Sequence, residues 1–69
     1  MLNDLIEMCK ERLGSYEKLS WKLEIAPTVI SDWKAKRRKP NAFQVMQMAE
    51  IVGFDQYQTL CLVMEEVDT

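Results

Sequence analysis

Apolar residues recur at helical spacing in the first segment of the chain. Their positions follow the i, i+3, i+4, i+7 rule of a helix with one buried face: Leu2, Leu5, Ile6, Cys9 and Leu13. Asn3 is expected to cap this helix. Gly14 is expected to end it, because glycine readily adopts the left-handed conformation that follows many helices. The pattern predicts a first helix over residues 3–13.

The next apolar residues cannot share one helix, because their spacing slips between Leu23 and Ile25. Pro27 follows the slip, and proline is favoured as the first residue of a helix, where its missing N–H would have no partner. We therefore predict helices over residues 16–23 and 27–36 with a tight turn between them. Their apolar residues would face each other across the corner, with Ile25 in the turn: Leu19, Leu23, Ile30 and Trp33.

Two further helices are predicted over residues 42–52 and 56–67. Gly53 is expected to end the first of them, whose wide apolar surface suggests a helix buried centrally. Residue types that cap helices precede the second, fourth and fifth helices: Ser15, Asn41 and Asp55. Ala26, before the third, is a poor cap. No segment alternates in the manner of a strand, so the predicted fold is all-α with five helices.

The fifth helix is predicted to bury one apolar face, made of Tyr57, Leu60, Cys61, Met64 and Val67. Leu62 falls outside that face and is expected to point toward solvent, with Val63 on its shoulder. Neither residue has an obvious partner within the chain. Leu62 and Val63 are therefore candidates for a dimer surface, although a single exposed leucine is common.

Composition places the chain among soluble globular proteins, with 48% hydrophobic and 29% charged residues. Its 69 residues are expected to form one domain with a modest core. No apolar run approaches the roughly 20 residues of a membrane span, and residues 1–12 lack the apolar core of a signal peptide. We expect a cytoplasmic protein, in the bacterial cytosol or nucleoid.

The two cysteines, Cys9 and Cys61, are isolated thiols on apolar faces, so we expect both to be buried and unpaired. With no histidine in the chain, they cannot complete a zinc site. The chain also lacks a carboxylate pair fixed by a motif and a glycine-rich phosphate loop. We expect no enzymatic activity, cofactor, metal or small-molecule substrate.

Charge is divided along the chain more sharply than its net value of −2 suggests. Residues 1–39 hold all nine basic residues and six acids, which gives +3. Residues 40–69 hold five acids and no base, which gives −5. A basic half and an acidic half would orient the protein on a polyanion such as DNA.

The stretch from Tyr16 to Pro40 resembles the helix-turn-helix unit of lambdoid phage repressors, Cro proteins and related bacterial regulators. Counted from Tyr16, the apolar fourth, eighth, tenth, fifteenth and eighteenth positions and the small fifth position match: Leu19, Leu23, Ile25, Ile30, Trp33 and Ser20. The ending 33–37 followed by Pro40 is also similar. The family usually has alanine where this chain has Ser20, and glycine where it has Glu24. At a turn that often needs a positive φ, Glu24 costs about 1 kcal/mol.

The resemblance implies a lambda-repressor-like DNA-binding domain whose third helix enters the major groove. Base contact would fall to the exposed early residues of that helix: Pro27, Thr28, Ser31 and Asp32. None of them offers the strong bidentate pairing of Arg, Asn or Gln, so shape and dimer spacing would share in discrimination. Asp32 is alternatively a solvated acid that pairs with Lys36, four residues on.

Phosphate contact is expected from the basic run that ends the third helix and from residues that flank the motif: Ser15, Tyr16, Lys34, Lys36, Arg37, Arg38, Lys39 and Asn41. Four to five neutralised phosphates would make log K fall against log salt with a slope of about −4 per subunit. The alternative for the basic run is an ordinary solvated loop. The alternative for Tyr16 is a side chain that covers the core.

These features together predict a sequence-specific transcription regulator of phage or prophage repressor or Cro type. It would bind double-stranded operator DNA as a homodimer, with half-sites about 34 Å apart. Two alternatives stay open. One is an antitoxin or the N-terminal domain of a longer regulator, and the other is a protein-interaction module that has lost DNA binding.

Overall fold

The computed structural model describes residues 1–67 and contains five α-helices joined by short turns: α1 Leu2–Leu13, α2 Tyr16–Leu23, α3 Pro27–Lys34, α4 Ala42–Val52 and α5 Gln56–Val67. No strand occurs among these residues, so the predicted all-α class is confirmed. The predicted limits of the second, fourth and fifth helices are reproduced. The first helix begins one residue earlier than predicted, and the third ends two residues earlier.

The N-terminus of helix α1 is capped by a side chain of helix α5. The prediction that Asn3 caps it is wrong, because the helix already begins at Leu2. Glu66 near the end of α5 accepts a hydrogen bond from the Leu2 backbone N–H at 2.7 Å. Its other oxygen accepts one from the amino group of Met1 at 3.0 Å. The carboxylate thus satisfies the Leu2 N–H at the start of the helix, where no N-cap side chain accepts a hydrogen bond. Gly14 ends the helix with φ 109°, as predicted.

The corner between α2 and α3 follows local sequence signals. Ser15 caps α2, since its hydroxyl accepts a hydrogen bond from the Lys18 N–H at 3.0 Å. Glu24 ends α2 in the left-handed conformation, with φ 58° and ψ 46°. The Ile25 N–H then donates to the Ser20 carbonyl at 3.0 Å, which closes the turn. Ala26 precedes α3 and makes no capping hydrogen bond through its side chain, in line with its poor propensity.

Helix α3 ends at Lys34 and not at residue 36. The physical reason is that Lys36 adopts the left-handed conformation, with φ 62°, which turns the chain out of the helical path. The Arg37 N–H then donates back to the Asp32 carbonyl at 2.9 Å. The basic run therefore lies mostly on a loop between α3 and α4.

One hydrophobic core joins all five helices. Its fully buried apolar side chains come from each of them: Leu5, Ile6, Cys9, Leu19, Ile30, Trp33, Val45, Met48 and Val63. Trp33 is the largest of these, which confirms its predicted core position. Helix α4 buries Val45, Met48 and Ala49 but leaves Phe43 69% exposed, so only one face of this helix is central.

The buried face of α5 differs from the predicted one. Thr59 and Val63 lie in the core, whereas Tyr57 is 74% exposed and Cys61 is exposed. Leu60, Met64 and Val67 pack against the core as partly buried neighbours, as their helical spacing allows. Apolar residues occupy two sides of this helix, and periodicity alone cannot choose between them. The choice is made by packing against α4, where the Gln56 amide donates to the Met46 carbonyl at 3.1 Å.

The two cysteines have different environments. Cys9 is buried, as predicted, and its thiol donates to the Met48 carbonyl at 3.3 Å. Burial raises the pKa of the Cys9 thiol to about 11, so this thiol stays protonated and inert at neutral pH. The prediction that Cys61 is buried is wrong, because α5 turns this residue toward solvent.

Candidate nucleic-acid interface

The outer surface of α3 presents the residues that were predicted to read bases. Pro27, Thr28 and Ser31 are exposed, and Asp32 is half-buried. Residues one, two, five and six of a helix lie on adjoining faces, so the four side chains form one short surface beside the turn at residues 24–26. The surface is small and carries hydroxyl groups, an apolar ring and one carboxylate.

The basic run lies directly after this surface. Lys36, Arg37, Arg38 and Lys39 are all exposed on the loop that leads from α3 to α4. Pro40 behind them is buried and fixes where the loop returns to the body of the protein. The basic loop thus follows the α3 surface directly in the chain, and three of its cations, Lys36, Arg38 and Lys39, also line a cleft with Glu66 of α5.

Asp32 pairs with Arg37 and not with Lys36. The Arg37 guanidinium donates from Nε to the Asp32 carboxylate at 2.8 Å. The predicted partner four residues on is wrong, because the helix has ended and the left-handed Lys36 turns the chain so that residue 37 returns to Asp32. This exposed pair holds one cation of the basic run against the end of α3, and such pairs contribute little to stability.

Lys34 and Tyr16 belong to a cluster that the sequence did not reveal. Glu7 of α1 accepts hydrogen bonds from the Lys34 ammonium at 2.7 Å and from the Tyr16 hydroxyl. The Lys34 ammonium also donates to the Tyr16 hydroxyl at 2.8 Å and lies 4.5 Å from the centre of the tyrosine ring. These contacts join α1, the start of α2 and the end of α3.

Hydrogen bonds from Lys34 and Tyr16 hold the pKa of the Glu7 carboxyl below its usual value. The hydrogen bonds that the Lys34 ammonium donates, first to Glu7 and then to Tyr16, raise the pKa of Lys34. Glu7 therefore stays ionised and Lys34 stays charged across the neutral range. The cluster is a charged hydrogen-bonded group of three residues at the edge of the candidate interface.

Two of the predicted phosphate candidates act as helix caps. Ser15 caps α2, as described above. Asn41 accepts the Gln44 N–H at 2.8 Å, while the Gln44 side chain accepts the Asn41 N–H at 2.8 Å, which completes a capping box at α4. Their side-chain oxygens already accept hydrogen bonds in the protein.

The two residues predicted to form a dimer surface, Leu62 and Val63, differ in burial. Leu62 is 47% exposed, as predicted. Val63 is 0% exposed and belongs to the core, so the prediction that it lies at the surface is wrong. Other apolar side chains are more exposed than Leu62, among them Trp21 of α2 at 62%. Trp21 thus lies on the outer surface of the protein.

Within residues 1–67, no group of three or more Cys, Asp or Glu side chains is arranged to hold a metal ion. None of the helices described is long and apolar enough to cross a membrane. Comparison of the chain with protein-family models, with curated proteins and with solved structures gives no match.

Proposed function

We propose that this protein is a sequence-specific DNA-binding transcription regulator of the phage repressor or Cro type. The observation that carries the proposal is the arrangement around α3. A short helix with one exposed face follows a left-handed turn and leads at once into four exposed cations. A helix of this kind fits the major groove, and cations at its end reach the phosphates that flank the groove.

The basic loop supplies the affinity in this proposal. Lys36, Arg37, Arg38 and Lys39 lie on one exposed segment and would neutralise phosphates of one strand. Glu50 and Glu65 of α4 and α5 are exposed outside this segment, whereas Glu66 lies beside it, in a cleft that Lys36, Arg38 and Lys39 also line. Since like charges repel, the protein would approach DNA with the α3 side first.

Sequence reading falls to the surface made of Pro27, Thr28, Ser31 and Asp32. Thr28 and Ser31 are exposed, and each can donate to or accept from a base edge. Asp32 could accept from a cytosine amine, but it already binds Arg37 at 2.8 Å. Few strong base contacts are available, so discrimination would depend largely on DNA shape and on the spacing of two half-sites.

A homodimer on two half-sites completes the proposal, with Leu62 as the candidate contact that is exposed on α5. A cytoplasmic location follows from the same function. An antitoxin, or the N-terminal domain of a longer regulator, would use the same DNA-binding surface, and the proposal covers these forms as well.

A protein-interaction module is the second candidate, because two of the cations expected to bind DNA phosphates are paired with carboxylates of the protein. Glu7 binds Lys34, and Asp32 binds Arg37. The net charge of −2 points the same way. In this alternative the α3 surface would meet another protein, and duplex DNA would not bind even at low salt.

A selection of bound duplexes from a random pool, followed by titration of the selected duplex, tests the proposal. The double variant Arg37→Ala and Arg38→Ala should weaken binding and flatten the salt dependence by about two units per subunit. The variant Lys18→Ala and Lys22→Ala removes the same charge from exposed positions of α2 and serves as the matched control, with a smaller expected loss. No enrichment of any duplex at low salt would contradict the proposal and favour the second candidate.

A further inference from the structure

We propose that Glu7 occupies the place of a DNA phosphate in the free protein, so that it aligns Tyr16 and Lys34 for DNA and also limits DNA affinity. This inference rests on the proposed DNA-binding function and adds a residue of α1 to it. Glu7 would act as a positioning residue, and binding would exchange its carboxylate for a phosphate.

The geometry shows donors that converge on one acceptor. A single Glu7 oxygen, Oε1, accepts both from the Lys34 ammonium at 2.7 Å and from the Tyr16 hydroxyl. Lys34 ends α3, directly before the basic loop, and Tyr16 begins α2. Both are residues for which the sequence predicts phosphate contact. Their donors are therefore aligned in the free protein, but their partner is an internal anion.

The chemistry of the site suits a phosphate oxygen as well as a carboxylate. A phosphate oxygen accepts the same hydrogen bonds from an ammonium and a phenol, and it carries the same sign of charge. All three side chains are only partly buried, so a ligand from solvent can approach them. Lys10 adds positive charge nearby, with its ammonium 5.7 Å from the centre of the Tyr16 ring.

Exchange of the Glu7 carboxylate for a phosphate costs free energy, and this cost predicts how Glu7 affects DNA affinity. When a phosphate binds Lys34, the Glu7 carboxylate loses hydrogen bonds and stays close to a second anion. Removal of the Glu7 charge should therefore strengthen DNA binding, although it removes contacts that join three helices. Stability and DNA affinity should change in opposite directions, whereas a purely structural role would lower both.

The test uses Glu7→Gln, which keeps the shape of the side chain and removes its charge. Titration of a labelled random-sequence duplex of about 20 base pairs should show affinity higher by about two- to fivefold per subunit. The salt slope should stay that of the wild-type protein, because the same phosphates are neutralised in both complexes. Thermal unfolding should show a lower Tm for the same variant.

Glu11→Gln is the matched control. Glu11 lies one turn further along α1, and its carboxylate is 3.8 Å from Lys10 and takes no part in the cluster. It removes the same charge, so a smaller gain in affinity and no change in salt slope are expected. In a Lys34→Met background, the gain from Glu7→Gln should disappear, because the released donor is absent.

Equal or weaker duplex binding by folded Glu7→Gln would overturn the inference, as would an equal gain from Glu11→Gln. If Glu7→Gln is unfolded at the assay temperature, Glu7→Asp replaces it. Its shorter side chain withdraws the carboxylate from both donors but keeps the charge, so a gain in affinity smaller than that of Glu7→Gln is expected. Failure of the wild-type protein to bind any duplex at low salt would overturn the proposed function itself, and the inference with it.

Discussion

Replacement of Glu24 by glycine should stabilise the protein. Glu24 ends α2 with φ 58° and ψ 46°, and its side chain is exposed. This left-handed conformation costs an ordinary residue about 1–2 kcal/mol and costs glycine almost nothing. Glycine also makes the unfolded chain more flexible, which offsets about 0.4–1 kcal/mol of that gain. A net increase of about 0.5–1 kcal/mol in the free energy of unfolding is expected.

Urea and thermal unfolding followed by circular dichroism measure this gain. With a urea m-value of about 1 kcal/mol/M, the midpoint should rise by about 0.5–1 M. The Tm should rise by about 2–8 °C for a domain of this size. Glu24→Ala removes the carboxylate but keeps the β-carbon, so it should give no such gain. If the alanine variant is stabilised as much as the glycine variant, backbone strain at residue 24 is not the cause and the reasoning fails.

Four further changes test the cap of α2, the core and the surface of α5, and the pairing of the two chain ends. Ser15→Ala removes the cap of α2 and should lower the free energy of unfolding by about 1 kcal/mol in urea titrations, whereas an unchanged midpoint would exclude the capping role. Val63→Ala opens a cavity in the core and should lower the free energy of unfolding by about 2 kcal/mol. Leu62→Glu should leave the Tm nearly unchanged. If Leu62 lies in a dimer contact, the same change should lower the molar mass measured by light scattering.

Glu66→Gln tests the pairing of the two chain ends, because hydrogen bonds from the Leu2 N–H and the terminal amino group lower the pKa of Glu66. A depressed pKa stabilises the fold above the ordinary value of 4.5 and loses that effect as pH falls through the folded-state value. Wild type should therefore be more stable than Glu66→Gln at pH 6, by less than about 1 kcal/mol for so exposed a pair, and the difference should vanish by about pH 2. A constant difference across that range would rule out the ionised pair.

Features with local causes could be predicted from the sequence. The slip between Leu23 and Ile25 and the position of Pro27 located the corner, and the caps Ser15 and Asp55 act as expected. Each of these depends on residues within a few positions of one another. The all-α class followed from the same local periodicity.

Features that depend on packing between distant segments could not be predicted. The Glu66 carboxylate reaches Leu2 across 64 positions, and no local pattern marks that pair. Val63 is buried and Cys61 is exposed, the reverse of the prediction. Helix α5 has apolar residues on two sides, and only its contact with α4 determines which side is buried. No local pattern in α1 marks Glu7 as a partner of other helices, and only the approach of α2 and α3 brings Tyr16 and Lys34 to it.

The same limit applies to the candidate interface. The basic run and the surface of α3 could be named in advance because they are contiguous in sequence. The pairing of Asp32 with Arg37 could not be foreseen, since it depends on the left-handed conformation of Lys36, a residue type that seldom adopts it. Because α3 ends early, Asp32 pairs with Arg37 and not with Lys36.

The salt dependence of duplex binding by the wild-type protein tests the central proposal most directly. Fluorescence anisotropy with a labelled duplex, measured from about 50 to 200 mM salt, gives the slope of log K against log salt. The proposal predicts measurable binding at the lowest salt and a slope of about −4 per subunit from the basic loop and the end of α3. No binding at 50 mM salt, or a slope near zero, would contradict it.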